Sequence, residues 1–256
     1  MKNKLNEIIQ QSNEQINLLV HDIKSNKTLF EYNADQQLVS ASTIKVPIML
    51  TALNEVMNNK ITLDTELYVS KEVILEDSEV FEQGPRNATL YELIMWMIIT
   101  SDNTSTNVLI NYFTMDKINE YCEHVLETKS TSVQRIMLDF DAIVQGKNNY
   151  ISQLDLCKMF IKLNNKEILN EELCDVAIKI LCNQRWQNQI MRYIYEPTLY
   201  AHKTGSLDYL HHDAGIMKIN NKWYYIGCSI KGENIDGNYP LIGKIGKIIY
   251  DEIKGQ

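Results

Sequence analysis

Residues 199–229 read LYAHKTGSLDYLHHDAGIMKINNKWYYIGCS and contain three strand-like runs, 199–203, 212–218 and 223–229. Each is rich in apolar, β-branched or aromatic residues, and Asn220-Asn221 supplies a turn between the last two. So short a connection joins antiparallel neighbours. Beyond these runs, 240–254 carries Ile242, Ile245, Ile248 and Ile249 on one helical face. At the other end, 4–15 reads as a helix with Leu5, Ile8 and Ile9 together, followed by strands at 16–23 and 28–32 around a turn at 24–26. From about 42 to 181 the pattern is helical. Thr89 and Glu92 form a capping-box signature, and 90–99 behind it is apolar almost all round, the mark of a core helix. The order is helix, two strands, helical insert, three strands, helix. It predicts an α+β fold: strands from both ends in one antiparallel sheet, flanked by the terminal helices, beside a mostly helical lobe. The sheet lobe takes 1–39 and 185–256 and the helical lobe 40–184, together one compact domain with a cleft between them that suits a small-molecule site.

Composition narrows the function. The 256 residues are 45% hydrophobic and 23% charged, enough apolar material for a sizeable core. A formal net charge of −8 argues against a nucleic-acid partner, which needs clustered Lys and Arg. The first fifteen residues contain no apolar stretch of signal-peptide length, and the apolar run 90–100 is too short to span a bilayer. No membrane segment is expected, and the expected location is cytoplasmic for the chain as it stands, extracytoplasmic if a leader was removed. Five cysteines without CxxC spacing read as reduced thiols, neither a disulfide framework nor a metal site.

Three short motifs carry chemistry. In Ser42-Thr43-Ile44-Lys45 a helix starting near Ser42 puts the hydroxyl and the amine on one face. Lysine can take a serine proton only when its own pKa is lowered. The helix start also offers free N–H groups to an oxyanion. Alone, a Ser-x-x-Lys is a chance-level match, and Pro47 is odd inside a helix. In Ser101-Asp102-Asn103, between two helical runs, Ser101 can pass a proton, Asn103 can hold an amide and Asp102 can tie down loop N–H groups. In Lys203-Thr204-Gly205-Ser206, at the end of a predicted strand, a fixed cation stands beside two hydroxyls and a glycine that admits a ligand close to the backbone.

Ser-x-x-Lys, Ser-Asp-Asn and Lys-Thr-Gly in this order, each in its context, make the chain similar to the class A β-lactamases and penicillin-binding serine hydrolases. The order of elements matches that family's two-lobe fold, so the resemblance covers essentially the whole chain. It implies that Ser42 is acylated, that Lys45 and Ser101 move its proton, and that the N–H groups of Ser42 and Ser206 form the oxyanion hole. It further implies that Lys203, Thr204 and Ser206 hold a substrate carboxylate against Gly205, and that Asn103 holds a side-chain amide. The substrate would be a small-molecule β-lactam or a D-Ala-type peptide, with no metal or organic cofactor.

One position departs from the pattern. Class A enzymes carry a glutamate two residues after an arginine in the loop closing the floor of the site, where it activates the deacylating water. Here Arg135 matches the arginine but Met137 stands at the glutamate position, with Asp139 and Asp141 as the nearby substitutes in a shortened loop. The expected activity is acylation of Ser42 and hydrolysis of the β-lactam amide. The alternatives are a D-Ala-D-Ala peptidase or esterase with slow deacylation, a non-catalytic ligand-binding relative, and a sensor acylated once. His211-His212-Asp213 is expected to be strand rather than metal site, since adjacent strand residues face opposite ways. Trp96, Trp186 and Trp223 are expected to pack rather than bind, and Val80 and Phe81 are candidates for the cleft mouth.

Overall fold

Asn220 and Asn221 both adopt positive φ, 51° and 60°, the conformation a tight two-residue hairpin requires of its central pair. The hairpin they close is the centre of the sheet. The computed structural model describes residues 1–232 and 235–255. Helix α1 (Lys2–Gln11) leads into strands β1 (Gln15–Asp22), β2 (Lys27–Tyr32) and the two-residue β3 (Leu38–Val39). A 3-10 turn, Ala41–Ile44, runs into α2 (Lys45–Met57). Strands β4 (Glu66–Val69) and β5 (Arg86–Thr89) form a hairpin, followed by α3 (Leu90–Ile99), α4 (Asn103–Phe113), α5 (Met115–His124) and the short α6 (Phe140–Val144). Next come β6 (Tyr150–Ile151), α7 (Gln153–Asn164) and α8 (Glu171–Cys182), then β7 (Tyr200–Leu207), β8 (Leu210–Ile219), β9 (Lys222–Lys231) and α9 (Ile235–Lys254).

The main sheet has the order β2-β1-β9-β8-β7, antiparallel throughout, so strands from both ends of the chain pair as the sequence predicts. Because side chains alternate, both faces are used. Leu18, Val20, Ile226 and Ile230 join the terminal helices through Leu5, Ile245 and Ile249, while Leu19 and Tyr225 join the helices of the middle segment. Helix α3 is the keystone of that second core. The Thr89 hydroxyl accepts from Glu92 N at 3.1 Å and the Glu92 carboxylate accepts from Thr89 N at 2.8 Å. Leu90, Leu93, Ile94, Met97 and Ile98 are all fully buried, each contributing about 1.5–3 kcal/mol of burial.

Four sequence-based boundaries shift. Strand β7 runs on to Leu207, so Lys203–Ser206 lies inside a strand, opposite Ala214–His211 of β8, rather than at a strand end. Thr204-Gly205-Ser206 has no apolar alternation to announce this; the pairing comes from β8. Helix α9 begins at Ile235 with Pro240 inside it, not at 240, and α1 stops at Gln11. The middle segment is not wholly helical, since it holds the β4–β5 pair and β6, which pairs with β3 just ahead of it. No helix among the described residues is long and apolar enough to cross a membrane. All five cysteines are free.

Candidate active site

Ser42 lies within the 3-10 turn, three residues before α2 begins, rather than opening that helix. Pro47 is the third residue of α2, where an N–H would lack an intrahelical acceptor, so it costs no hydrogen bond there. Ala41, just before Ser42, takes φ 44°, a sterically strained value for a residue with a Cβ. Three contacts fix this strained turn. Ser40 N donates to Asn149 O at 2.8 Å, and Thr43 Oγ1 donates to Ser40 O at 2.6 Å. His212 Nε2 lies 2.9 Å from Val39 O, which demands a proton on that nitrogen. Burial drives the His212 pKa down to about 4, so the ring is neutral and its Nδ1 accepts from Ser229 Oγ, 2.6 Å away.

Lys45 and Lys203 are both wholly buried and meet at one hydroxyl. Lys45 Nζ donates to Ser101 O at 2.6 Å, Ser101 Oγ at 3.0 Å and Asn103 Oδ1 at 2.8 Å. Lys203 Nζ donates to Ser101 Oγ at 3.1 Å and to Thr204 O at 2.9 Å. With both acceptor positions of Ser101 Oγ taken by lysines, its own proton is left to point into the cleft. Ser101 reaches this place through a backbone φ of 65°. Burial lowers the Lys45 pKa to about 7, against the opposing charges of Asp102 and Asp77. Burial likewise pushes Lys203 well below its usual range, reinforced by Lys45 and opposed by Asp213. Two lysines sharing one hydroxyl cannot both stay protonated cheaply. Asp102 has the structural task expected of it: Oδ1 caps α4 through Ser105 N at 2.6 Å, and Oδ2 accepts from Ser78 Oγ.

On β7, Gly205 is pressed against the serine turn. A Cβ added there would stand 3.0 Å from Ser42 N and 3.2 Å from Thr43 N, so a larger residue would force the serine turn to give by a few tenths of an ångström. Ser206 follows at the cleft edge, its hydroxyl accepting from Tyr239 OH at 3.1 Å, and Tyr239 packs on buried His211 at 4.2 Å between centroids. His202 turns away from the site: its Nδ1 is 2.7 Å from Asp213 Oδ1, and it stacks on Tyr200. His211 and His212 therefore occupy separate surroundings, as strand alternation predicts.

The loop 135–149 is closed by amides. Asn149 Oδ1 accepts from Gln134 N and Arg135 N, and its Nδ2 donates to Arg135 O. Arg135 is buried and donates to Asn148 Oδ1 and Ile136 O. Asn107 on α4 clamps Met137 from both sides, accepting from its N at 2.6 Å and donating to its O at 3.1 Å. Asp139 is spent on capping α6 through Ala142 N, and Asp141 is exposed on that helix. Neither lines the cavity that holds Ser42.

That cavity, of about 340 Å³, brings together Ser42, Ser101, Asn103, Thr204, Gly205 and Ser206. Lys45 and Lys203 reach it from behind through Ser101. Five further residues line it that sequence reasoning did not select: Thr100, Trp186, Asn188, Gln189 and Tyr239. Trp186 is 47% exposed on the cleft wall, with Arg185 packed over its ring. Val80 borders a smaller adjoining cavity, whereas Phe81 is buried beneath Arg86. Nothing in the sequence marks Trp186 or Tyr239, because each reaches the cleft from a distant segment.

Comparison with known proteins agrees in extent. Residues 1–253 match the model of the Beta-lactamase enzyme family. A beta-lactamase of Bacteroides uniformis is 22% identical over 99% of this chain and 91% of its own length. The TLA-1 extended-spectrum beta-lactamase superposes with a TM-score of 0.91 at 20% identity, covering 99% of this chain and 98% of the other. A mutant of PBP-A, solved as an acyl-enzyme complex with penicillin-G, superposes with a TM-score of 0.89 at 22% identity, covering 100% and 96%.

Proposed function

The chain belongs to the beta-lactamase enzyme family, and from that premise we propose that it is a serine hydrolase that β-lactams acylate on Ser42. The observation that carries this reading is the placement of the Ser101 hydroxyl between two buried lysines, 3.0 and 3.1 Å away. A Lys45 pKa of about 7 gives a share of neutral amine at physiological pH, and neutral amine accepts a proton. In the proposed sequence the Ser42 hydroxyl adds to the β-lactam carbonyl while its proton passes to Lys45. The N–H groups of Ser42 and Ser206 stabilise the oxyanion, a role supported by the press of Gly205 on the serine turn. The C–N bond then breaks, and the ring nitrogen takes the Ser101 proton, which the Lys45 ammonium replaces. Lys203, Thr204 and Ser206 hold the substrate carboxylate, and Asn103 faces its side-chain amide.

Water must then cleave the ester. With Met137 where a class A enzyme has its glutamate, and Asp139 and Asp141 off the cavity, deacylation is the slow step. The same observation favours a second reading, a peptidase or esterase for D-Ala-ended peptides that β-lactams trap. A mutant of PBP-A that was solved as a penicillin-G acyl-enzyme is a structural neighbour. Burst kinetics with a chromogenic cephalosporin test the proposal. The expected trace is a burst of one equivalent per enzyme and then a slow steady state, with no burst from Ser42→Ala. Equal hydrolysis by that variant and the wild type would overturn it.

A further inference from the structure

At the mouth of the cleft the Asn103 amide is already engaged on both sides. Its Oδ1 accepts from Lys45, and its Nδ2 donates to Asp77 Oδ2 at 2.7 Å. The Asp77 carboxylate therefore stands where a substrate side-chain carbonyl would come to accept from Asn103. Asp77 is exposed, and among the described residues it forms no ion pair. Its acidic neighbour Glu79 does, holding Arg185 at 3.1 Å. Asp77 and Trp186 border a cavity of about 130 Å³ that adjoins Ser101. A carboxylate without a counter-ion facing an aromatic surface across a small cavity is the chemistry that receives an ammonium group.

We propose that Asp77 is a specificity-determining residue that selects β-lactams or peptides whose acyl side chain carries an ammonium group beside the amide carbonyl. The inference rests on the acylation reading above. A neutral side chain must take Asn103 Nδ2 from Asp77 without compensation, whereas an ammonium offers the carboxylate a new partner as the carbonyl displaces it. Trp186 forms the apolar wall of that subsite. Arg185 does not repel the cation strongly, because Glu79 neutralises it.

The test is the ratio of acylation efficiencies for ampicillin and benzylpenicillin, which differ only by an α-amino group, measured at a pH where that amine is protonated. Asp77→Asn keeps an acceptor for Asn103 and removes the charge. It is expected to lower the ampicillin-to-benzylpenicillin ratio about three- to fivefold, the size of a solvent-exposed ion pair. Added salt should lower the wild-type ratio and leave the variant's unchanged. Any effect of Asp77 on Lys45 acts on both compounds and cancels in the ratio. Glu82→Gln, which removes an exposed carboxylate that does not line this cavity, should leave the ratio as it is. An unchanged ratio in Asp77→Asn, or an equal fall in Glu82→Gln, would overturn the assignment while leaving Ser42 acylation standing. Failure of both penicillins to acylate the wild type would overturn the acylation reading, and this one with it.

Discussion

At the top of the cleft, Lys45 and Lys203 bring two buried amines to within 3.1 Å of a single serine hydroxyl. In the neighbouring loop 135–149 the same quality of construction holds an apolar side chain: Asn107 grips Met137 with two backbone hydrogen bonds, and Asn149 and Arg135 close the loop. Both regions are rigidly specified. They differ in charge at the decisive positions. Where a proton must leave the nucleophile, burial has lowered an amine to about neutrality. Where a class A enzyme activates water, a thioether stands instead. A site can thus be prepared for the first half of a two-step reaction and not for the second, and the two halves can be altered separately.

The largest expected effect comes from the first region. Lys45→Met should lower the acylation rate about 10²–10⁴-fold, the usual contribution of a general base, as read by stopped-flow quenching or a chromogenic substrate. The wild-type rate should fall as pH drops below about 7, because protonated Lys45 cannot accept a proton. Stability has the same sign as activity, over a window that begins where the activity rise ends. The unfolded chain holds the Lys45 proton up to its ordinary pKa of 10.5 and the folded chain releases it near 7, so stability gains from this group as pH rises through that window. Lys45→Met should abolish that slope and melt no lower than the wild type at pH 7. A smaller loss, on the order of 10²-fold in acylation, is expected for Gly205→Ala, since the atoms its Cβ meets are mostly backbone and cannot swing aside.

The second region gives smaller effects of the other kind. Met137→Glu places a carboxylate on the clamped backbone and should shorten the acyl-enzyme lifetime about tenfold, while leaving acylation nearly unchanged. A gain in acylation rather than deacylation would erase the contrast between the regions. Smallest for catalysis is Asn107→Ala, which removes both bonds to Met137. It should cost about 1–3 kcal/mol in urea unfolding, with acylation of Ser42 retained.

Features written in short local sequence were legible. The Asn220-Asn221 turn and the Thr89–Glu92 capping box each stand where the residues announce them. Features created by pairing were not. The extension of β7 through Gly205 depends on β8, and the two-residue strands β3 and β6 exist only against each other. The same holds within the site. Lys203 meets Ser101 across 102 positions of chain, and only the motif pattern brought the two together in advance. Trp186, Tyr239 and Asp77 belong to no such pattern, so their place at the cleft appeared only with the fold. Asp139 looked available in the sequence because its use as the cap of a five-residue helix is a matter of backbone geometry.

The central claim is that Ser42 forms a covalent ester that the neighbouring loop is poorly equipped to release. Intact-protein mass spectrometry after mixing with benzylpenicillin tests it most directly, sampled from seconds to hours beside Ser42→Ala. The account predicts a gain equal to the whole penicillin, absent in the variant and persisting well after mixing. No gain in the wild type, or an equal gain in Ser42→Ala, would contradict it.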